Sequence, residues 1–152
     1  MLETKNRIGF LNTLAKTTRI ERELINNLIE SNKSISVNFN EYEVLEILFN
    51  NDNMTQFDLV EQLCMNRLYI SRCLKSFEEK RYISRSFINK DDKTVTICTL
   101  TERGKIAYKV VKGKMEELDK RILEKLSPED SEKTSFYLNN LHQIITGLVN
   151  EN

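Results

Sequence analysis

Several residue types that mark particular classes of protein are scarce or absent in this sequence. It has no Trp, one Pro (Pro128), four Gly and one His (His142) in 152 residues. With so little Pro and Gly, no flexible linker separates domains, and we expect one continuous folded chain. The single His argues against a zinc site and against His-based catalysis, and no Gly-rich phosphate loop or nucleophile elbow occurs. We therefore expect no enzyme activity, no metal and no cofactor.

The three cysteines are odd in number and widely spaced. They are Cys64, Cys73 and Cys98, and no CxxC pair occurs among them. Neither a disulfide framework nor a thiolate zinc site is indicated. Packing roles are the simplest interpretation, and a redox-sensing regulator that uses Cys64 or Cys73 is an alternative.

Long apolar runs are also missing. No run approaches the roughly 18 residues that are needed to span a bilayer. The residues from Met1 to Arg7 lack the apolar stretch of a secretion signal. The composition, with 39% hydrophobic and 30% charged residues, is that of an ordinary folded domain. We expect a cytoplasmic protein that makes no membrane contact.

Charge is balanced over the chain but unevenly distributed. Between Asn66 and Lys93, eight Lys and Arg residues outnumber four acidic residues, so this segment carries +4 and the rest carries −4. A local basic patch on a neutral protein can bind phosphate groups without making the whole surface attract nucleic acid.

The predicted order of elements is a long helix, three short helices, a hairpin and two further helices. Apolar residues recur at helical spacing from Ile8 to Ile29, which predicts a first helix that ends near Glu30. Residues 31–37 are interpreted as a polar connection. Each later helix begins with a residue whose side chain can accept a hydrogen bond from the first turn. These residues are Asn38, Thr55, Asn66, Thr101 and Ser127.

Two of the short helices, joined by a tight turn at residues 64–65, have the outline of a helix-turn-helix. The inner face of the second helix is apolar. Its outer face carries Arg67, Leu68, Ser71, Arg72 and Lys75, with Tyr69 near the leading edge. Segments 83–88 and 94–99 alternate in the manner of strands on either side of the loop 89–93. A hairpin that follows a helix-turn-helix is a wing.

The terminal helices carry more apolar surface than a small winged domain needs, and such faces usually pack against another subunit. We therefore predict a homodimer. The predicted fold is mainly α with a small β-hairpin wing, that is, a winged helix-turn-helix with long terminal dimerisation helices. Residues 36–101 form the winged helix-turn-helix DNA-binding region, and residues 1–35 and 102–152 form the helical dimerisation region.

In this order the motifs resemble those of the MarR family of bacterial transcription regulators. Residues 54–83 are similar to the family's helix-turn-helix. Residues 100–104 (Leu-Thr-Glu-Arg-Gly) resemble the Leu-Thr-x-x-Gly that closes its wing, and residues 126–129 (Leu-Ser-Pro-Glu) resemble the start of its last helix. Each motif alone is weakly specific, but the ordered set is much harder to obtain by chance.

The resemblance implies a dimeric DNA-binding regulator, typically a repressor, that leaves its near-palindromic operator when a small ligand, metal or oxidant changes the spacing of the two reading heads. It also implies that helix 66–80 lies in the major groove of double-stranded DNA and that the wing reaches the adjacent minor groove. The reading surface would lie between Thr55 and Thr99. The implied DNA-binding residues are Thr55, Gln56, Asn66, Arg67, Tyr69, Ser71, Arg72, Lys75, Arg85, Lys90, Lys93 and Thr94.

Three positions depart from the family pattern. The family's wing aspartate falls on Asp92, but its minor-groove arginine falls on Thr94, and Lys93 would take that role if the hairpin is one residue longer. The glycine that ends the recognition helix is replaced by Arg81, where a left-handed conformation costs about 1 kcal/mol. The cysteine that peroxide-sensing members carry in the first helix is absent, since no cysteine precedes Cys64.

The main functional alternative is a winged-helix module that binds protein and does not read DNA. Winged domains serve in protein complexes, and a net charge of zero is compatible with that use. Salt-dependent binding to duplex DNA distinguishes the two functions.

Overall fold

The computed structural model of the protein describes residues 3–31, 34–90 and 92–150. This part of the chain forms six helices and one three-stranded antiparallel sheet, in the predicted order of helices and hairpin. The helices are α1 (Glu3–Glu30), α2 (Phe39–Asn50), α3 (Gln56–Leu63), α4 (Arg67–Glu79), α5 (Glu102–Leu123) and α6 (Pro128–Asn150). The strands are β1 (Met54–Thr55), β2 (Ile83–Lys90) and β3 (Lys93–Leu100).

The chain divides into two compact units, Met1–Lys114 and Met115–Asn152. The first unit contains the hydrophobic core, to which every element from α1 to α5 contributes buried side chains. Its largest fully buried side chains are Tyr108, Phe77, Ile29, Leu45, Leu59, Ile70, Leu74, Val44, Val111 and Cys98. The second unit contains the end of α5 and the whole of α6.

The helices begin at the predicted capping residues. At the start of α2, the Asn38 side chain accepts from the Glu41 amide, and the Glu41 carboxylate accepts from the Asn38 amide, both at 2.9 Å. Thr55 and Asp58 form the same reciprocal pair at the start of α3, at 3.1 and 2.8 Å. Each pair satisfies two backbone donors that the geometry of a helix start leaves without an intrahelical partner.

The connection between α1 and α2 is less polar than expected. Ile35 and Val37 are both buried, so this segment contributes to the core. The interpretation of residues 31–37 as a purely polar connection is therefore wrong. Two apolar residues at alternate positions are enough to anchor a short loop, but they are too few to give a periodic signal.

The end of α1 is held by a side chain from α5. The Lys114 ammonium donates to the Leu28 carbonyl at 2.7 Å and to the Ser31 hydroxyl at 2.6 Å. A cation at this place interacts favourably with the carbonyl end of the helix and with the helix dipole. The contact joins residues that are more than 80 positions apart in the sequence.

The sheet has the order β1-β3-β2, and both pairings are antiparallel. Strand β1 was not predicted, because two residues are too short to show alternation. Met54 pairs with Cys98 and Thr55 pairs with Ile97. The residues that immediately precede α3 are therefore hydrogen-bonded to the base of the wing.

The wing is longer than predicted. Strands β2 and β3 pair from Ile83 and Leu100 at the base to Lys90 and Lys93 at the tip, so only residues 91–92 connect them. The expectation of a five-residue loop over 89–93 is wrong. Polar residues at the tip indicated a loop, but strands that extend beyond the core need no apolar face there.

Helix α4 ends in a Schellman motif. The Tyr82 amide donates to the Phe77 carbonyl at 2.7 Å, and the Arg81 amide donates to the Glu78 carbonyl at 2.9 Å. Arg81 has a φ of 59°, which confirms the expected left-handed conformation. A side chain with a Cβ is strained there, at a cost of about 1 kcal/mol.

The Leu-Thr-x-x-Gly motif joins the end of α4 to the start of α5. The Thr101 hydroxyl donates to the Arg81 carbonyl at 2.7 Å and accepts from the Gly104 amide at 3.1 Å, while the Thr101 amide donates to the Tyr82 carbonyl at 2.9 Å. The Tyr82 carbonyl also approaches Gly104 so closely that no Cβ would fit. The threonine is needed as a cap and the glycine is needed for space.

Candidate nucleic-acid interface

The orientation of α4 is fixed by its inner face. Ile70, Cys73, Leu74 and Phe77 are buried, as the sequence predicted. Burial of this face turns the opposite side of the helix to the solvent, because side chains three or four residues apart lie on the same side.

The outer face of α4 is basic along most of its length. Arg67, Arg72 and Lys75 are exposed, and Ser71 is half-buried beside them. The structure thus brings together four of the residues that were predicted to contact DNA. Guanidinium groups form bidentate hydrogen bonds with guanine or phosphate, whereas lysine supplies a point charge. The face has the chemistry that recognition of duplex DNA requires.

The turn between α3 and α4 is formed by a left-handed residue, Cys64, and a helix cap, Asn66. Cys64 ends α3 in the left-handed conformation with a φ of 50°. Asn66 then caps α4, and its side-chain oxygen accepts from the Leu68 amide at 2.8 Å. The Asn66 side chain is exposed at the start of the helix. Its predicted DNA contact would use the amide group, whose oxygen is already engaged in the cap.

The start of α3 lies close to the start of α4. The Gln56 side-chain amide donates to the Arg67 carbonyl at 3.3 Å. The Thr55 hydroxyl is engaged in the capping box of α3 and is half-buried. A shallow pocket of about 260 Å³ lies here, lined by Gln56, Phe57, Val60 and Arg67. Thr55 therefore caps α3, and Gln56 joins the start of α3 to the start of α4.

Tyr69 is directed toward the body of the protein. Its hydroxyl donates to the Asn38 side-chain oxygen in a long hydrogen bond of 3.5 Å, and the residue is half-buried. Burial raises the pKa of Tyr69 well above its usual value, and the neighbouring Cys73 thiol raises it further. The hydroxyl is tied to the cap of α2, so a contact of Tyr69 with DNA would have to involve the ring.

Arg85 connects the wing to α4. Its guanidinium lies 3.0 Å from the carboxylate of Glu78, which is in the last turn of α4. Both side chains are partly exposed, so the pair adds little to stability. The pair neutralises one acidic group near the basic face and holds the Arg85 cation beside α4.

The wing tip carries the remaining predicted contacts. Lys93 is exposed, and its backbone pairs with that of Lys90 across the two-residue connection. The Thr94 hydroxyl donates to the Asn89 side-chain oxygen at 3.2 Å. Asp92 has a φ of 59°, as a tight hairpin turn requires. The side chain of Lys90 lies outside the described residues.

Two exposed apolar side chains on this surface were not among the predicted contacts. Leu68, in the first turn of α4, is 59% exposed, and Phe87 of β2 is 74% exposed. The helical spacing placed Leu68 on the outer face, but an apolar side chain offers no hydrogen bond to a base or a phosphate. The sequence held one signal for Leu68, because it precedes Arg72 by one helical turn on the outer face.

Two further properties concern the described ranges 3–31, 34–90 and 92–150. None of the helices in them is long and apolar enough to cross a membrane. Nor do they bring together three or more His, Cys, Asp or Glu side chains in a group that could hold a metal ion.

The chain is similar in sequence to a known protein family and to a curated relative. Residues 41–122, more than half of the chain, match the family model described as winged helix DNA-binding domain. A curated relative from Bacillus subtilis (strain 168), named as the uncharacterized HTH-type transcriptional regulator YdgJ, is 28% identical over 125 residues, which cover 77% of this chain and 76% of the relative. These relatives are DNA-binding regulators rather than enzymes.

Two solved structures have a similar fold. Staphylococcus aureus MarR in complex with salicylate and kanamycin matches with a TM-score of 0.78 and 17% identity, covering 95% of each chain. Streptococcus pneumoniae FabT in complex with DNA also has a TM-score of 0.78 and 17% identity, covering 95% of this chain and 99% of FabT. The winged helix-turn-helix fold expected from the resemblance to the MarR family is confirmed.

Proposed function

The chain belongs to the winged helix DNA-binding domain family, and from this premise we propose that it is a dimeric repressor of transcription that binds a near-palindromic operator. Repression of chromosomal genes requires the protein to act where the DNA is, in the cytoplasm. The observation that carries the proposal is the outer face of α4, where Arg67, Arg72 and Lys75 are exposed on a helix whose inner face is buried.

The predicted contact residues divide by chemistry into base-reading and phosphate-binding groups. Arg67 and Arg72 are the candidates for paired hydrogen bonds to guanine. Asn66, Ser71 and Lys75 lie beside them and suit either bases or phosphates. The start of α3, with Thr55 and Gln56, suits the DNA backbone, because the first turn of a helix presents unpaired N–H groups. Tyr69 would contribute its ring.

The wing is assigned to the adjacent minor groove. Lys93 and Lys90 at its tip supply positive charge, which suits the negative potential of a narrow minor groove. Thr94 is next to them, and Arg85 lies at the base of the wing, next to α4. Either Lys93 or Thr94 takes the place of the family's minor-groove arginine, and the exposed cation of Lys93 favours Lys93.

We assign residues 36–101 to DNA binding and residues 1–35 and 102–152 to dimerisation. Large apolar side chains are exposed in both terminal regions, and exposed faces of this kind mark interaction surfaces. They include Phe10, Leu11, Ile20 and Leu24 of α1, and Phe136, Tyr137, Leu138, Ile144 and Ile145 of α6. Sedimentation equilibrium should show a dimer at micromolar concentration, and a stable monomer would contradict this assignment.

Release by a small ligand is part of the proposal. It is supported by the similarity in fold to Staphylococcus aureus MarR, whose structure holds salicylate and kanamycin. A ligand can release DNA only if it binds the DNA-free conformation more tightly than the DNA-bound one. Titration of the DNA complex with a ligand library, read out by DNA release, would identify the effector.

The decisive experiment measures binding to the DNA upstream of the protein's own gene and to a random duplex of equal length, over a range of salt concentrations. An operator should bind about 10³-fold or more tightly than random DNA, and the slope of log affinity against log salt should approach −0.9 for each phosphate contacted. Weak binding without salt dependence would favour a module that binds protein.

A further inference from the structure

The outer face of α4 contains one side chain that the proposed DNA contacts leave unexplained. Leu68 is 59% exposed, although it is a large apolar residue within a segment, residues 66–93, that carries a net charge of +4. It lies on the same row of the helix as Arg72, Lys75 and Glu79, at successive spacings of four, three and four residues. This row is opposite the buried face, so Leu68 is directed away from the core.

The distribution of charge along this row indicates which end of α4 approaches DNA. Arg67 begins the helix beside Leu68, Arg72 lies in the second turn and Lys75 lies in the third. Glu79, which is also exposed, lies at the other end. Along this row, phosphates attract the cations and repel Glu79, which favours an approach of DNA to the N-terminal part of the helix. Residues in the first turn of a recognition helix are those that contact base edges.

The direction of the Leu68 side chain also favours a contact with base edges. In an α-helix the Cα–Cβ bond is tilted toward the N-terminus, so the Leu68 side chain extends toward the end of α4 that enters the groove. Its neighbours on the row are long cations, which reach phosphates and guanines at the sides. Leu68 is shorter, and in the proposed complex it would face the base edges from the first turn of the helix.

Leu68 has no hydrogen-bonding group, so it can recognise only an apolar feature of a base pair. In the major groove the one such feature is the C5-methyl group of thymine. We propose that Leu68 reads a thymine in each half-site by van der Waals contact with this methyl group. The inference rests on the proposed DNA-binding function and makes it more specific, because it names a base that the protein selects without a hydrogen bond.

The test removes the methyl group from the DNA and the side chain from the protein. Selection from a randomised duplex library gives the preferred operator, and each thymine is then replaced, one symmetric pair at a time, by deoxyuridine, which pairs identically but lacks the methyl group. For one pair of positions, the wild-type protein should lose about fourfold in affinity per half-site, as expected for one methyl-sized group returned to water. The Leu68→Ala variant should bind the two duplexes equally.

The matched control is Lys75→Ala, on the same row of α4. It should weaken binding to the thymine and deoxyuridine duplexes by the same factor, so that the ratio stays at the wild-type value. Because Leu68 is exposed, Leu68→Ala should keep the wild-type midpoint of thermal unfolding, and a folded variant is therefore available for measurement.

The outcomes separate the two levels of the proposal. If selection enriches an operator but no deoxyuridine substitution weakens binding, or if Leu68→Ala keeps the wild-type ratio, the role of Leu68 is refuted while DNA reading stands. If selection enriches no sequence at all, the proposed function fails and the role of Leu68 fails with it.

Discussion

The carbonyl oxygen of Tyr82 fills the space that a Cβ atom on Gly104 would need. Neither side can move easily, because the same carbonyl accepts from the Thr101 amide at 2.9 Å. We therefore expect Gly104→Ala to lower the free energy of unfolding by about 2 to 3 kcal/mol, in the range of overpacked cores. Urea unfolding followed by circular dichroism measures the change.

Gly113→Ala is the matched control for this substitution. Gly113 is also a helical glycine of α5, but a Cβ there would meet nothing within 4 Å. Alanine should stabilise the protein by about 0.5 to 1 kcal/mol, because it is the better helix former. If the two variants had equal stability, the close approach of Tyr82 to Gly104 would not be the reason for the glycine.

Arg81 offers a stabilising substitution. Its left-handed conformation, with a φ of 59°, is one that glycine adopts without strain. Arg81→Gly should raise the free energy of unfolding by about 0.5 kcal/mol at most, that is, about 1 kcal/mol of relieved strain less the extra entropy of glycine in the unfolded chain. Arg81→Ala serves as the control, since alanine keeps the Cβ and should bring no gain. A stabilised alanine variant would show that the arginine side chain, not its backbone, was the source of strain.

The cysteines should differ in reactivity. Cys73 and Cys98 are buried, and burial raises the pKa of both thiols, so both stay protonated and unreactive at neutral pH. Cys64 is exposed. In the folded protein, a disulfide reagent should modify Cys64 rapidly and the other two only as fast as the protein unfolds.

The effect of oxidation on DNA binding tests whether the cysteines act as redox sensors. If the cysteines serve packing, the triple Cys→Ala variant should bind DNA with near-native affinity, and peroxide should leave the wild-type affinity unchanged. Loss of DNA binding on oxidation, abolished by replacing Cys64 or Cys73, would make the protein a redox-sensing regulator.

Substitutions on α4 and on the wing should distinguish residues that read bases from residues that only attract phosphates. Arg72→Ala should cost about 1 to 3 kcal/mol on the operator and relax sequence preference, since a guanidinium on the outer face of α4 can pair with guanine. Lys93→Ala, at the wing tip, should weaken operator and random DNA alike and reduce the salt slope by about one counterion. Salt titrations of both duplexes with each variant measure the difference. If both variants gave the wild-type titration curves on both duplexes, α4 and the wing would not be part of the DNA interface.

The features that the sequence predicted correctly depend on residues close together in the chain. Reciprocal capping pairs span three residues, so Asn38 with Glu41 and Thr55 with Asp58 could be recognised without any tertiary information. The buried face of α4 follows from a repeat of 3.6 residues. The basic outer face is then simply the remainder of the same helix.

The features that could not be predicted depend on partners from distant elements. Strand β1 exists only because Met54 pairs with Cys98, which lies 44 residues later. The Arg85 guanidinium meets Glu78 from another element, and the Tyr69 hydroxyl meets Asn38 of the α2 cap. In each case the residue type was visible in the sequence, but its orientation was decided by packing that local patterns do not encode.

The pairing of β1 with β3 has a consequence for the choice of operator. It joins the start of the helix-turn-helix to the base of the wing, so the separation between α4 and the wing is set by the protein. In the proposed complex, any mismatch with the duplex must be taken up by bending or twisting of the DNA. That deformation energy depends on the stiffness of the base steps between the two contacts. Operators should therefore show sequence preference at positions that no side chain touches.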